Sequence, residues 1–351
     1  GNDSIAALGD GDTLYGASGA NTVFYAKLQN ANGGVTLPID VFIHGGGNDT
    51  IATNTDNAAI TTSGGASEVV LGPSQNTVVS DGSDTIACVG SGGNDTITAQ
   101  ATFGHAGDLV FGPSQGLLSF IGGNTPNTVV GTGGEIDMQG GAGNGSLVWA
   151  GSGVVQYEEG TGSAVIVGGS GVTHVLGNTA PVTVFGGTGS GVFSGGPGSV
   201  FVVGSGASTV AAGAGEAVFI LGAAPVSVAG SAGADVYGGG STGSNIFQAS
   251  TGSETLWGGA GNDLFAAGSG NDVLVSGGGN DVFSFTNGTA LGSDTVVGFV
   301  PGQSTIALHG FGSQVPQISV AFGASFINLA NGAQIIVDNV TNLTAANFTF
   351  T

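Results

Sequence analysis

Basic residues are almost missing from this 351-residue chain: Lys27 stands alone against 23 Asp and Glu, a formal net charge of −22. A nucleic-acid surface neutralises phosphates with Lys and Arg, so one lysine excludes that function. A polybasic contact with an anionic membrane is excluded by the same count. Cys88 is the only cysteine, which rules out an internal disulfide. Proline stops at 9 residues and Gly does not recur at every third position, so a collagen-like helix is excluded. Every apolar run is broken by Gly or a polar residue well before the ~18 residues of a transmembrane segment. Disorder fits poorly as well, because only 7% of residues are charged and 40% are hydrophobic. The single methionine is Met138, so Gly1 reads as the start of a processed chain or a fragment, and the sequence does not bear on a leader peptide.

What the chain has in excess is glycine, 73 residues of it, and the glycines are periodic. Three consecutive nonapeptides stand near the C-terminal end: GGAGNDLFA from Gly258, AGSGNDVLV from Ala267 and SGGGNDVFS from Ser276. They follow G-G-x-G-x-D-x-U-x, with U a large apolar residue and with Asp263, Asp272 and Asp281 nine residues apart. Each part of the spacing has a physical reading. The glycines Gly259, Gly261, Gly268, Gly270, Gly277 and Gly279 allow the positive φ angles of a tight turn and an approach of backbone carbonyls to a ligand. The aspartate adds a hard anionic oxygen, the ligand type that Ca²⁺ prefers among its six to eight. The x-U-x half is a short strand whose central residue points into a core. Acidic side chains without cationic partners repel one another, and bound divalent cations relieve that repulsion.

On these three tandem motifs the chain resembles the RTX (repeats-in-toxin) family. The resemblance implies an all-β fold, a right-handed parallel β-roll or β-solenoid with two nonapeptide arms per turn, and several bound Ca²⁺ ions. Residues 18 apart then stack, so Asp263 is expected above Asp281, and Phe247, Phe265 and Phe283 in one aromatic column. The last residues, VTNLTAANFTFT, resemble the uncleaved C-terminal signal of RTX proteins exported by type I secretion. That implies an extracellular or bacterial cell-surface location. Enzymatic members of the family carry a separate catalytic domain beside their repeats.

The nine-residue register extends far beyond the recognisable motifs. Going backwards from Asp281 the Asp slot reads Asp272, Asp263, Glu254, Asn245, Asp235, Val226, Ala217, Ser208, Val200, Gly191 and Val182, with one step of ten and one of eight. Phe219, Val210, Val202 and Phe193 occupy matching U positions. Three segments follow. Residues 1–105 read as an irregular solenoid with an insertion at about 24–44, which is expected to protrude as a loop or hairpin. Residues 106–284 read as the regular solenoid, metal-poor to about 230 and calcium-binding over 235–284. Residues 285–351 read as a run of β-hairpins forming a C-terminal β cap and carrying the secretion signal. Further candidate calcium ligands are Asp3, Asp12, Asp49, Asp84 and Asp95 in the first segment, Asp235 and Glu254 in the second, and Asp294 at the start of the cap.

Catalytic patterns are scarce. His44, His105, His174 and His309 lie far apart with no metal-ligand spacing, and no H-E-x-x-H occurs. Gly112-Pro113-Ser114-Gln115-Gly116 matches G-x-S-x-G, yet it sits in a Pro-containing turn of the repeat rather than a strand-to-helix elbow. Cys88 lacks a motif and reads as a small buried residue. The expectation is a non-enzymatic, calcium-binding building block of an extracellular filament, surface layer or biofilm matrix. An adhesin that binds a cell-surface glycan, or the repeat region of a larger secreted enzyme, is the alternative. Gly1 begins inside a repeat, GNDSI, and an open first coil leaves strand edges that template another strand. Repeated head-to-tail pairing of that kind gives a homo-oligomeric filament or lattice.

Overall fold

The computed structural model describes residues 3–7, 13–15, 22–26, 41–53, 57–81, 83–89, 91–100, 105–177, 179–213, 218–233, 236–239, 242–290 and 292–351. The chain divides into two compact units, Gly1–Leu176 and Gly177–Thr351. Among the described residues the one helix is a 3-10 turn, Ala345–Asn347, and no helix is long and apolar enough to cross a membrane. Each unit is a β-solenoid: successive short strands alternate between two parallel sheets, and each strand pairs with the strand one full turn away.

In the first unit, one sheet runs through Thr50–Thr53, Glu68–Leu71, Thr85–Cys88, Leu109–Phe111, Thr128–Val130, Ser146–Trp149 and Ala164–Val167. The other runs through Val41–His44, Ala58–Thr61, Thr77–Ser80, Ser91–Ala99, Gln115–Ile121, Glu135–Gln139, Val155–Glu158 and Thr173–Leu176. Strand periodicity of two then sorts the side chains. Ile51, Val69, Ile86, Val110, Val129, Val148 and Ile166 face inward in register and are wholly buried. Ile60, Val78, Ile97, Phe120, Met138 and Tyr157 form the facing column. Burying each of these contributes roughly 1.5–3 kcal/mol, which offsets the entropy of ordering so glycine-rich a chain.

The outer faces of this unit differ. On the first sheet Phe111, Val130, Trp149 and Val167 stand in one row, with Leu109, Thr128, Leu147 and Val165 in the row beside it. On the second sheet the outward positions include Glu135, Asp137, Gln156 and Glu158. The outer surface from Leu109 to Val167 on the first sheet is therefore uncharged, with Glu68 two turns earlier in the row of Leu109, whereas the second sheet is acidic over residues 135–158.

The second unit repeats the plan with a different ending. Phe193, Val210, Val228, Phe247, Phe265, Phe283, Ile306 and Phe348 share one inward column. The expected aromatic stack is present: ring centroids are 5.2 Å apart for Phe247–Phe265 and 5.0 Å for Phe265–Phe283, nearly coplanar in tilt at 14° and 4°.

Four expectations are corrected. Phe201, not Val202, points inward, and Ser199 rather than Val200 takes the Asp slot, accepting a hydrogen bond from the Val182 N–H at 3.1 Å. Residues 18 apart do not stack in the first coil, where Asp3 pairs with Thr22, 19 residues on. Thr22–Ala26 and Val41–His44 are parallel strands of the coil rather than parts of a protruding insertion, and residues 27–40 lie outside the described residues. Finally, Ser293–Val297 and Thr305–His309 continue the parallel coil beyond Phe285. Among the described residues Gln317–Ala321, Ala324–Asn328 and Gln334–Val337 form the antiparallel pairs, Gln334–Val337 also pairs parallel with Ser293–Val297, and Phe348–Phe350 returns parallel to Thr305–His309.

Candidate metal centre

At many strands of the coil a residue at or just before the strand start turns its side chain inward, and its backbone N–H donates to the side-chain oxygen of the equivalent residue one turn on. In the second unit Asn245 N–H donates to Asp263 Oδ1 at 2.7 Å, and Asp263 N–H to Asp281 Oδ1 at 2.8 Å. On the opposite arm Glu254 N–H donates to Asp272 Oδ1 at 3.0 Å, and Asp272 N–H to Asp294 Oδ1 at 2.9 Å. All five acidic side chains in these chains of bonds are buried. The first unit has the same device: Ser67 N–H donates to Asp84 Oδ1 at 2.7 Å, and Asp84 N–H to Asp108 Oδ1 at 3.0 Å. Asp108 N–H donates in turn to Asn127 Oδ1 at 2.9 Å, and Asn76 N–H to Asp95 Oδ1 at 3.2 Å.

Sequence reasoning missed this role. The slot asks first for a short side chain with an acceptor oxygen, and Asn or Ser satisfies it where the recognisable motif has faded. Asn127 N–H meets Ser146 Oγ at 3.2 Å and Val226 N–H meets Asn245 Oδ1 at 3.1 Å. The signal was the recurrence of Asn and Ser, not only Asp, at the slot. Carboxylates add a second oxygen and a charge. That second oxygen accepts Gly46 N–H at 2.9 Å in Asp49 and Gly268 N–H at 3.0 Å in Asp272. In Asp281 it accepts the Ser276 hydroxyl. In Asp263 the second oxygen is buried with no hydrogen-bond partner.

The electrostatics match that inventory. Burial raises the Asp263 carboxyl to about 6, and the neighbouring Asp281 charge pushes the same way. Burial raises Asp294 to about 7, with the Asp272 charge adding to it. Asp281 is also raised, by burial. These are stacked acids from which water is excluded and to which no base is offered, an arrangement that costs free energy unless a cation joins it.

The glycines set how closely the turns stack. Gly259, Gly277 and Gly279 adopt positive φ, at 100°, 85° and 92°. Gly261, Gly268 and Gly270 do not, and are required for a different reason: a Cβ at Gly270, for example, would overlap the Gly252 carbonyl oxygen of the preceding turn. The backbones of successive loops, carbonyl oxygens included, are thereby packed against one another. Among the described residues no three His, Cys, Asp or Glu side chains converge on one point. A cation here therefore relies on mixed carboxylate and carbonyl oxygen, a donor set that suits Ca²⁺ and not a thiophilic metal. The orphaned Asp263 Oδ2 makes the fit specific. Asp263 and Asp281, with the loops of Gly259, Gly261, Gly277 and Gly279, would hold an ion on one arm. Asp272 and Asp294, with Gly268 and Gly270, would hold one on the other, and Glu254 takes the same slot one turn earlier.

The remaining predicted ligands are distributed as follows. Asp49, Asp84 and Asp95 are buried in the first unit, and Asp84 is brought beside Asp108 while Asp95 meets Asn76. Asp3 begins the strand Asp3–Ala7, and its side chain lies outside the described residues, as do Asp12 and Asp235.

Comparison with known families returns the RTX calcium-binding nonapeptide repeat, four copies, over residues 1–26 and 248–283. The second segment covers the Asp263 and Asp272 loops and reaches Phe283. No curated protein matches the chain.

Proposed function

We propose, from the premise that this chain is an RTX-repeat protein whose nonapeptides bind Ca²⁺ and whose kind is typically exported by type I secretion, that it is a building block of an extracellular assembly. In this reading calcium completes the coil after export, and folded copies then associate into a filament, surface layer or matrix at the bacterial surface. The role is structural rather than catalytic.

One observation carries the reading: the uncharged outer row Phe111, Val130, Trp149 and Val167 on a chain of net charge −22. Trp149 is 53% exposed and Phe111 37%, an expense of apolar surface that monomers usually avoid. On a chain this acidic, an uncharged apolar face is one that a second copy can approach at low electrostatic cost. Head-to-tail pairing of coil edges would extend the same assembly along its axis.

Sedimentation velocity at millimolar calcium tests this. The wild type is expected to form oligomers that dissolve on chelation, and Trp149→Glu is expected to weaken them without altering the fold. A wild type that stays monomeric at millimolar calcium contradicts the proposal.

A second reading, a glycan-binding arm, is favoured by a cavity of about 550 Å³ in the second unit. Gln248, Ser250, Thr251, Ser269, Thr286 and Thr289 line it with hydroxyl and amide groups suited to sugar hydroxyls. Binding on a glycan array that is lost in Gln248→Ala would favour this reading over the first.

A further inference from the structure

A cluster in the first unit has different chemistry and lies outside both segments that match the nonapeptide repeat. Ser80 ends the strand Thr77–Ser80, and its Oγ lies 2.7 Å from Asp84 Oδ2 and 2.8 Å from Asp108 Oδ1. The Thr62 hydroxyl reaches the same Asp84 Oδ2. Thr62, Ser80, Asp84 and Asp108 are each no more than 2% exposed.

The hydrogen count does not close. A serine hydroxyl carries one hydrogen and can donate to only one of the two carboxylates it touches. With both acids ionised, the other contact sets lone pair against lone pair. Asp108 Oδ2 is buried and has no hydrogen-bond partner. No basic side chain is available to answer this charge within the described residues, since Lys27, the only Lys or Arg of the chain, lies outside them. Two buried carboxylates, two hydroxyls that can turn their lone pairs, and one orphaned oxygen thus converge where adjacent turns stack.

We propose that Thr62, Ser80, Asp84 and Asp108 form a further calcium site, built from side-chain oxygens gathered from three successive turns rather than from a glycine-rich loop. A divalent cation removes the lone-pair conflict at Ser80 and gives Asp108 Oδ2 a partner. Carboxylate and hydroxyl oxygens are hard ligands, which selects against thiophilic metals. The dryness of the cluster selects against Mg²⁺, which keeps several of its waters, and for Ca²⁺, whose coordination is flexible. The inference concerns one site of the first unit and does not depend on assembly.

The test counts ions bound to the full chain, by native mass spectrometry and by calorimetric titration with CaCl₂ at pH 7.5. Asp108→Asn keeps the acceptor for the Asp84 N–H and is expected to bind one ion fewer than wild type. Ser80→Ala, which removes a neutral ligand, is expected to weaken one binding step by tenfold or more. Asp281→Asn, in the matched repeats, is the control for sensitivity. If Asp108→Asn and Ser80→Ala both keep the wild-type count and affinities while Asp281→Asn loses an ion, the cluster holds a proton and the proposal is overturned. If Asp108→Asn does not fold, an unchanged titration of Ser80→Ala overturns it alone. Loss of an ion in Asp108→Asn with none lost in Asp281→Asn supports this site and contradicts the assignment of calcium to Asp281 instead.

Discussion

Asp108, Asp263 and Asp294 are easier to protonate in the fold than in the unfolded chain, which reverses the usual behaviour of protein carboxylates. Asp108 rises from an ordinary 3.8 to about 6, chiefly through burial. The sign follows from linkage: an acid with a raised folded pKa favours the fold below its unfolded value, and that contribution disappears as pH rises through the folded value. Without calcium the protein is therefore expected to melt at a higher temperature at pH 5 than at pH 7.5, the loss falling between about 4 and 7. A calcium-free melting temperature that climbs over this range contradicts the account of the buried acids. The close stacking of turns gives a second expectation. Gly270→Ala places a methyl against the Gly252 carbonyl and is expected to cost about 1–3 kcal/mol, read from denaturant midpoints.

In the inward phenylalanine column Phe265 is gripped between the Phe247 and Phe283 rings. Phe265→Ala is expected to cost about 3–5 kcal/mol, whereas truncating the outward Trp149 stays within about 0.5 kcal/mol. Thermal melts in saturating calcium separate the two, and equal losses would mean that inner and outer faces are misassigned. This column was legible in the sequence, since Phe247, Phe265 and Phe283 sit 18 residues apart between glycine turns. The turn at Ser199 was not. Val200, Phe201, Val202 and Val203 are all apolar, so alternation gives no phase there, and a one-residue slip exchanges the faces. The acceptor role of the slot was equally hidden, because it falls to Asp, Asn or Ser according to the turn. Of the cluster Thr62, Ser80, Asp84 and Asp108 only Asp84 was legible as a ligand, since the others carry no recognisable motif and the members lie up to 46 residues apart (108 − 62). The parallel return of Phe348–Phe350 was hidden for the same reason: its partner strand Thr305–His309 is distant in the chain, and nothing local in FTF distinguishes a coil strand from a cap.

A chain with 23 acids and one Lys, in which the acids of the repeats are buried in stacks, is poised to be unstable alone at neutral pH. Each site filled to a hundred times its dissociation constant adds about 2.7 kcal/mol, so a few ions decide whether a marginal coil forms. Extracellular calcium modules commonly bind at about 10⁻⁴–10⁻³ M, so on the proposed export the coil would stay open in a calcium-poor cytosol and close outside. The most direct measurement is far-ultraviolet circular dichroism of the full chain at pH 7.5, followed through a thermal melt in millimolar calcium and again in EGTA. The account predicts a β spectrum with a cooperative melt in calcium, and in EGTA an unfolded spectrum or a melting temperature lower by tens of degrees. An identical spectrum and melting temperature after complete chelation would contradict it.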